Sequence, residues 1–314
     1  MPISAETIVA NNTYQKTTLF ISGYNWNQTD NFKGSSLDFE NNDGNPYTFS
    51  TTPADSHFIL EQSGIYYMAH RITEKEVEEM KIKYGVRDMS KNYNEKIVVG
   101  GTQYGTGLAP LSEQEYNSLI GNVVIDYVLD SKGYPIISEE QFDEIYGSRA
   151  SADLSTQPYF PAIGNQSSQG SCAAWAMTYY CYGYLEAKDN NWNRAKTGDP
   201  TQLMSPGWTY NKANARIDTG SSCYGNGDII AQIGAATLAN MPFNEYDSYS
   251  WGDPPAWREA PLHRAKEVVT ISFNGDATIS TLKSLVASGY PVTFAMNAQV
   301  FLTAFNDGNY IVSA

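Results

Sequence analysis

The stretch Asn165–Ala176, NQSSQGSCAAWA, sets a glutamine, Gln166, six positions ahead of a cysteine, Cys172. That spacing is a chemical arrangement. A thiolate that attacks an amide carbonyl creates a tetrahedral oxyanion, and a side-chain amide donor beside it stabilises the charge by about 3 kcal/mol. Gln166 is the expected donor. Gly170 and Ser171 form a turn into a helix expected to run from Cys172 to about Lys188, with Trp175, Tyr179 and Leu185 on its apolar face. Cys172 then sits at a helix N-terminus, where unpaired N–H groups and the helix dipole favour a thiolate. A single cysteine at a helix start is ordinarily a packing residue. The glutamine spacing and the Gly-Ser turn assign Cys172 to the nucleophile position instead.

Together Gln166, Gly170, Ser171 and Cys172 resemble the active-site signature of papain-like cysteine peptidases, family C1 of bacterial or archaeal type. The family usually has Trp directly after the cysteine; this chain has Ala173 and places Trp175 three residues on. The resemblance covers residues 155–314. It implies an α+β papain-like fold for a domain spanning 151–314, with a helical left half and the start of a β-rich right half. It implies a cysteine endopeptidase acting on protein or peptide substrates, without cofactor or metal. Cys172 attacks the scissile carbonyl, and Gln166 with the Cys172 N–H holds the oxyanion. Leu203–Asn214 (LMSPGWTYNKAN) resembles the helix that follows the catalytic one in the family, and Met241–Tyr246 its Pro-Tyr segment. Cys223–Asp228 (CYGNGD) resembles the glycine-rich bend of the substrate cleft, which makes Gly225, Asn226 and Gly227 substrate-binding, although Asn226 separates the two glycines and an ordinary turn is the alternative. A helix is expected over 228–238 and another over 277–288, with strands over 265–273 and 289–296.

The resemblance also calls for a His in a Gly-His motif soon after the last of these strands, and for an Asn in an Asn-Ser-Trp segment. Neither motif stands before Ala314, and His57, His70 and His263 match no family position. Each of these is read as an ordinary surface or packing histidine. The adopted reading is the front part of a peptidase, the chain by itself being inactive. The alternatives are a non-catalytic papain-like binding or adhesion protein, and a His supplied by another chain or by His57 or His70 folded over the cleft. Acyl transfer on the same cysteine is a further option.

Cys172, Cys181 and Cys223 leave one thiol unpaired, so either Cys181 bridges Cys223 or all three are free. In many relatives a disulfide joins the region matched to Cys223 to a cysteine just before the nucleophile, but here that position is Gln169. No cysteine or histidine pair has zinc-ligand spacing.

With 314 residues, 41% of them hydrophobic, the chain is long enough for two ordinary domains. Only 17% are charged and 23 are tyrosines, a surface style that suits an extracellular protein. A net charge of −14 repels a phosphate backbone, so nucleic acid is not an expected partner. No run reaches the roughly 18 apolar residues of a membrane span, and the start lacks a signal-peptide pattern. The glycosylation pattern Asn165-Gln166-Ser167 would set a glycan beside the oxyanion residue. An exported or cell-surface protein of bacterial or archaeal origin fits both observations.

Residues 1–150 read as a separate mixed α/β module, either a propeptide or an accessory domain. Strands are expected over 17–24, 47–51, 64–72 and 96–99 and across Asn122–Leu129 (NVVIDYVL). Capping boxes pair Thr73 with Glu76, Ser112 with Glu115 and Ser138 with Gln141, the last two with hydrophobic staples. The alternation Asp38, Glu40, Asn42 is a solvated turn rather than a calcium loop, because the glycine comes one place late and no glutamate closes it.

Overall fold

The computed structural model describes residues 15–21, 57–62, 65–129, 152–271 and 275–298. The expected helix start at Ser138, the strand at 47–51 and the turn at Asp38 lie outside the described residues. Among those described, the strands are β1 (Gln15–Ile21), β2 (His57–Gln62), β3 (Ile65–Arg71), β4 (Lys96–Val99), β5 (Thr102–Gly105), β6 (Val123–Leu129), β7 (Arg264–Ile271) and β8 (Val292–Thr293).

Local sequence accounts for the helices. In α1 (Glu74–Tyr84) Thr73 caps Glu76 and Glu76 reaches back to the Thr73 N–H, while Val77 and Met80 turn inward. Burying the latter two contributes roughly 1.5–3 kcal/mol each. In α2 (Glu113–Ser118) Ser112 and Glu115 form the same reciprocal cap, with Leu111 and Tyr116 both fully buried. Helix α3 occupies 172–189. Its middle, Trp175–Tyr182, is wound as a π-helix, and the expectation of an ordinary helix is corrected there. Along it the Trp175 ring lies 4.6 Å from that of Tyr179, and the Tyr179 ring 4.9 Å from that of Tyr180. Helices α4 (Pro206–Ala213), α5 (Cys223–Ile233), α6 (Pro254–Glu259) and α7 (Gly275–Ala287) follow.

One six-stranded sheet has the order β2-β3-β6-β7-β1-β8, and β4 and β5 pair as a separate hairpin. β6 runs antiparallel to β3 and parallel to β7, with Val124 opposite Thr270. Val123, Val124 and Ile125 are all buried, as a strand covered on both faces must be. Strands from before and after residue 150 therefore share one sheet. They also share one core, in which Val77, Met80 and Tyr116 meet Met177, Tyr182, Trp208 and Tyr224. The expected strand over 289–296 is limited to Val292–Thr293. The helix expected over 228–238 begins earlier, at Cys223, and ends at Ile233.

Candidate active site

Cys172 is the first residue of α3, following a turn whose backbone is fixed from several sides. Asp218 accepts from the Gly170 N–H at 2.8 Å and from the Tyr210 hydroxyl at 2.5 Å through Oδ1, and from Asn94 Nδ2 at 2.5 Å through Oδ2. Burial and the Asp218 charge push the Tyr210 phenol far up. Gln169 is buried and donates from Nε2 to the carbonyls of Asn244, Glu245 and Asp247 at 3.1–3.4 Å. Hydrogen bonds thus fasten this turn to the 244–247 loop. All three cysteines are free thiols, so the Cys181–Cys223 bridge is not formed.

A cleft of about 450 Å³ opens over Cys172. Gln166, Cys172, Ala176 and Cys223 line it together with Ile97, Tyr104, Gly105 and Leu108. The structure therefore brings Gln166 and Cys172 together. Gln166 Nε2 donates to the Gly105 carbonyl at 2.7 Å and to the Gln169 carbonyl at 3.1 Å. The segment carrying Gly105 is laid against the nucleophile turn by its main chain. Gly105 N–H donates to Ser167 O at 3.0 Å, Ser221 N–H to Gly107 O at 2.7 Å, and Ala109 N–H to Ser221 O at 3.1 Å. Only glycine permits this approach. A Cβ on Gly105 would collide with the Gln169 carbonyl, and one on Gly107 with the Gly170 carbonyl.

Burial pushes the Cys172 thiol up to about 11, and the N–H groups of Ala173, Leu108 and Cys172 itself offset only part of that. The expectation that the helix N-terminus makes Cys172 a ready thiolate is corrected in this arrangement, because desolvation outweighs the dipole. Cys223 is pushed up to about 12, by burial first and by the charge of Cys172 second.

Gly225, Asn226 and Gly227 are a further correction. They form no bend along the cleft but lie in the first turns of α5, buried, with Ser222 as N-cap accepting from the Gly225 N–H at 2.9 Å. Asn226 Nδ2 is turned inward to Ser221 Oγ and Ser222 O, at 2.9 and 2.7 Å. The S-S-C sequence before them, a serine N-cap ahead of a helix, carried that signal.

No histidine lines the cleft among the described residues. His70 lies between Asp126, 2.6 Å from Nδ1, and Glu76, 2.7 Å from Nε2. His263 Nδ1 meets Glu186 at 2.8 Å. Among the described residues no group of three His, Cys, Asp or Glu side chains is placed to hold a metal ion, and no helix is long and apolar enough to cross a membrane. Sequence reading missed Asn94, Gly105, Gly107, Leu108 and Asp218. The glycine-rich run Gly100–Gly107 was the available signal for the two close approaches of backbone to backbone at Gly105 and Gly107, whereas Asp218 carried none.

No protein-family profile matches the chain, and no curated protein matches it either. Among solved structures it is similar to xylellain, a cysteine protease from Xylella fastidiosa, with 14% identity and a TM-score of 0.36 over 51% of this chain. The likeness takes in 62% of xylellain's length, and similarity at this level assigns neither activity nor site residues.

Proposed function

We propose that this chain carries the nucleophile side of a papain-like cysteine endopeptidase, held latent by its own residues 104–109. The observation that carries this reading is the hydrogen bond from Gln166 Nε2 to a main-chain carbonyl, that of Gly105, in the cleft over Cys172. A backbone carbonyl is the group a peptidase must polarise. A side-chain N–H that donates to one beside a helix-N-terminal thiol is suited to holding the oxyanion formed when that thiol attacks. The N–H groups of Ala173 and Cys172 at the sulfur add fixed positive dipoles. In this reading the substrate peptide displaces residues 104–109, the thiol gains solvent and its charge becomes less costly. A base outside the lining described above accepts its proton.

The test is active-site labelling with a peptide epoxide directed at cysteine, before and after limited proteolysis of the β4–β5 hairpin. Labelling of Cys172 that appears only after cleavage supports latency, and Gln166→Ala should then slow it. No labelling in either state sinks the peptidase reading.

One observation favours a second reading. With the Cys172 thiol at about 11 and no imidazole in the described lining, the scaffold is equally suited to a binding or adhesion protein. A thiol that stays inert after the hairpin is released would select it.

A further inference from the structure

Cys223 is a nucleophilic side chain for which the peptidase reading has no use. It is the first residue of α5 as Cys172 is the first of α3. Both line the same cleft, and the first turn of α3 packs on α5. The Leu108 N–H reaches the Cys172 sulfur, and Leu108 pairs through its backbone with Ser221, two residues before Cys223. The two thiols are close enough for charge on one to be felt by the other. Cys181 is directed elsewhere, its Sγ donating to the Pro291 carbonyl at 3.4 Å. Cys223 is a free thiol.

We propose that Cys223 is the resolving thiol of Cys172, so that a peroxide converts the pair into a reversible disulfide that removes the nucleophile. The Cys172 thiolate attacks a peroxide oxygen, the O–O bond breaks, and a sulfenic acid and hydroxide result. The Cys223 thiolate then attacks the sulfenic sulfur, the S–O bond breaks, and a second hydroxide leaves. The two thiol protons turn both hydroxides into water, and the two electrons lost by sulfur reduce the peroxide. Because both thiols are held protonated by burial, the rate rises with pH. The proposal gives the candidate active site a form of regulation and so extends the peptidase reading, but its chemistry rests on the two cysteines alone.

The full chain is reduced, freed of reductant, treated with hydrogen peroxide at alkaline pH, alkylated, digested and mapped by mass spectrometry. The expected product is a peptide pair joined through Cys172 and Cys223, about 2 Da lighter than the separate thiol peptides, lost on reduction, with Cys181 still alkylated. In Cys223→Ser the same peroxide carries Cys172 on to the irreversible sulfinic and sulfonic acids. A wild-type chain whose Cys223 stays alkylatable while Cys172 is over-oxidised overturns the proposal, as does a link through Cys181. The wild-type map decides even where the variant fails to fold. Because the readout is a linked peptide, a chain that forms it but whose Cys172 the epoxide never labels, even after hairpin cleavage, loses the peptidase reading and keeps this one.

Discussion

The Gly105 carbonyl accepts a hydrogen bond from Gln166 Nε2 at 2.7 Å, so a residue of the β4–β5 hairpin occupies the donor assigned to the oxyanion. A methyl group on Gly105 or Gly107 would strike the carbonyl of Gln169 or Gly170. Gly105→Ala and Gly107→Ala should therefore lift residues 104–109 from the cleft. Alkylation of Cys172 by iodoacetamide at neutral pH is expected to quicken by about tenfold, equivalent to roughly 1.4 kcal/mol. Its pH profile should shift below the value of about 11 held by burial. Equal rates in variant and wild type would remove the latency argument.

Asp218 joins both halves of the chain at the nucleophile turn by accepting from Gly170, Tyr210 and Asn94. Asp218→Ala leaves three donors without this acceptor and is expected to cost about 2–4 kcal/mol, since an unsatisfied buried donor costs more than a hydrogen bond gains. Urea unfolding measures the loss. In Asp218→Asn the Tyr210 phenol should titrate lower than in the wild type, as the charge that helps raise it is gone.

His70 is buried between two carboxylates. Burial by itself would lower its pKa, but the charges and hydrogen bonds of Asp126 and Glu76 raise it to about 10 from 6.5. A raised folded value means that the ion-paired arrangement stabilises fully below about pH 6.5 and loses its contribution as pH rises through about 10. His70→Gln is expected to cost about 3 kcal/mol in mildly acidic buffer, where it leaves carboxylates unpaired. The gap from wild type should narrow toward pH 10 in denaturant titrations. A gap independent of pH would contradict the charged assignment.

Lys212 Nζ sits 3.4 Å from the Trp208 ring centroid and 5.1 Å from that of Trp257, and donates to the carbonyls of Trp208 and Trp251 at 3.1 Å. The ring faces attract the cation, yet burial lowers its pKa to about 7 from 10.5. Between those values the unfolded chain holds a proton that the folded chain does not, so stability rises with pH across that window. Lys212→Met should abolish this rise, and tryptophan emission of the wild type should titrate near pH 7. Emission that is flat with pH in the wild type would show that the cation persists in its aromatic site.

The sequence by itself determined the features whose causes are local. Thr73 with Glu76 and Ser112 with Glu115 place two helix starts, because a capping box is complete within four residues. The run 123–129 determined a strand, and the Gly-Ser turn determined a helix starting at Cys172. The juxtaposition of Gln166 with Cys172 in one cleft also follows from short-range spacing.

Other features depend on which distant segments meet. No local pattern announces that β6 pairs with β7 across more than a hundred residues, or that β1 lies between β7 and β8. The reading of 1–150 as a separate module could not foresee a shared sheet, since strand pairing is chosen by the burial of both partners' apolar faces. Gly225–Gly227 show the same limit. Glycines look like a bend in isolation, but the Ser222 cap and the burial of Ile230 hold them in a helix. The state of the nucleophile was likewise a tertiary matter. A helix N-terminus acts on its own first turn, whereas the burial that holds Cys172 protonated exists only in the folded chain, where Gly105 and Leu108, some 65 positions away, line the same cleft and are brought there by backbone hydrogen bonds that any sequence could make but only glycine could approach.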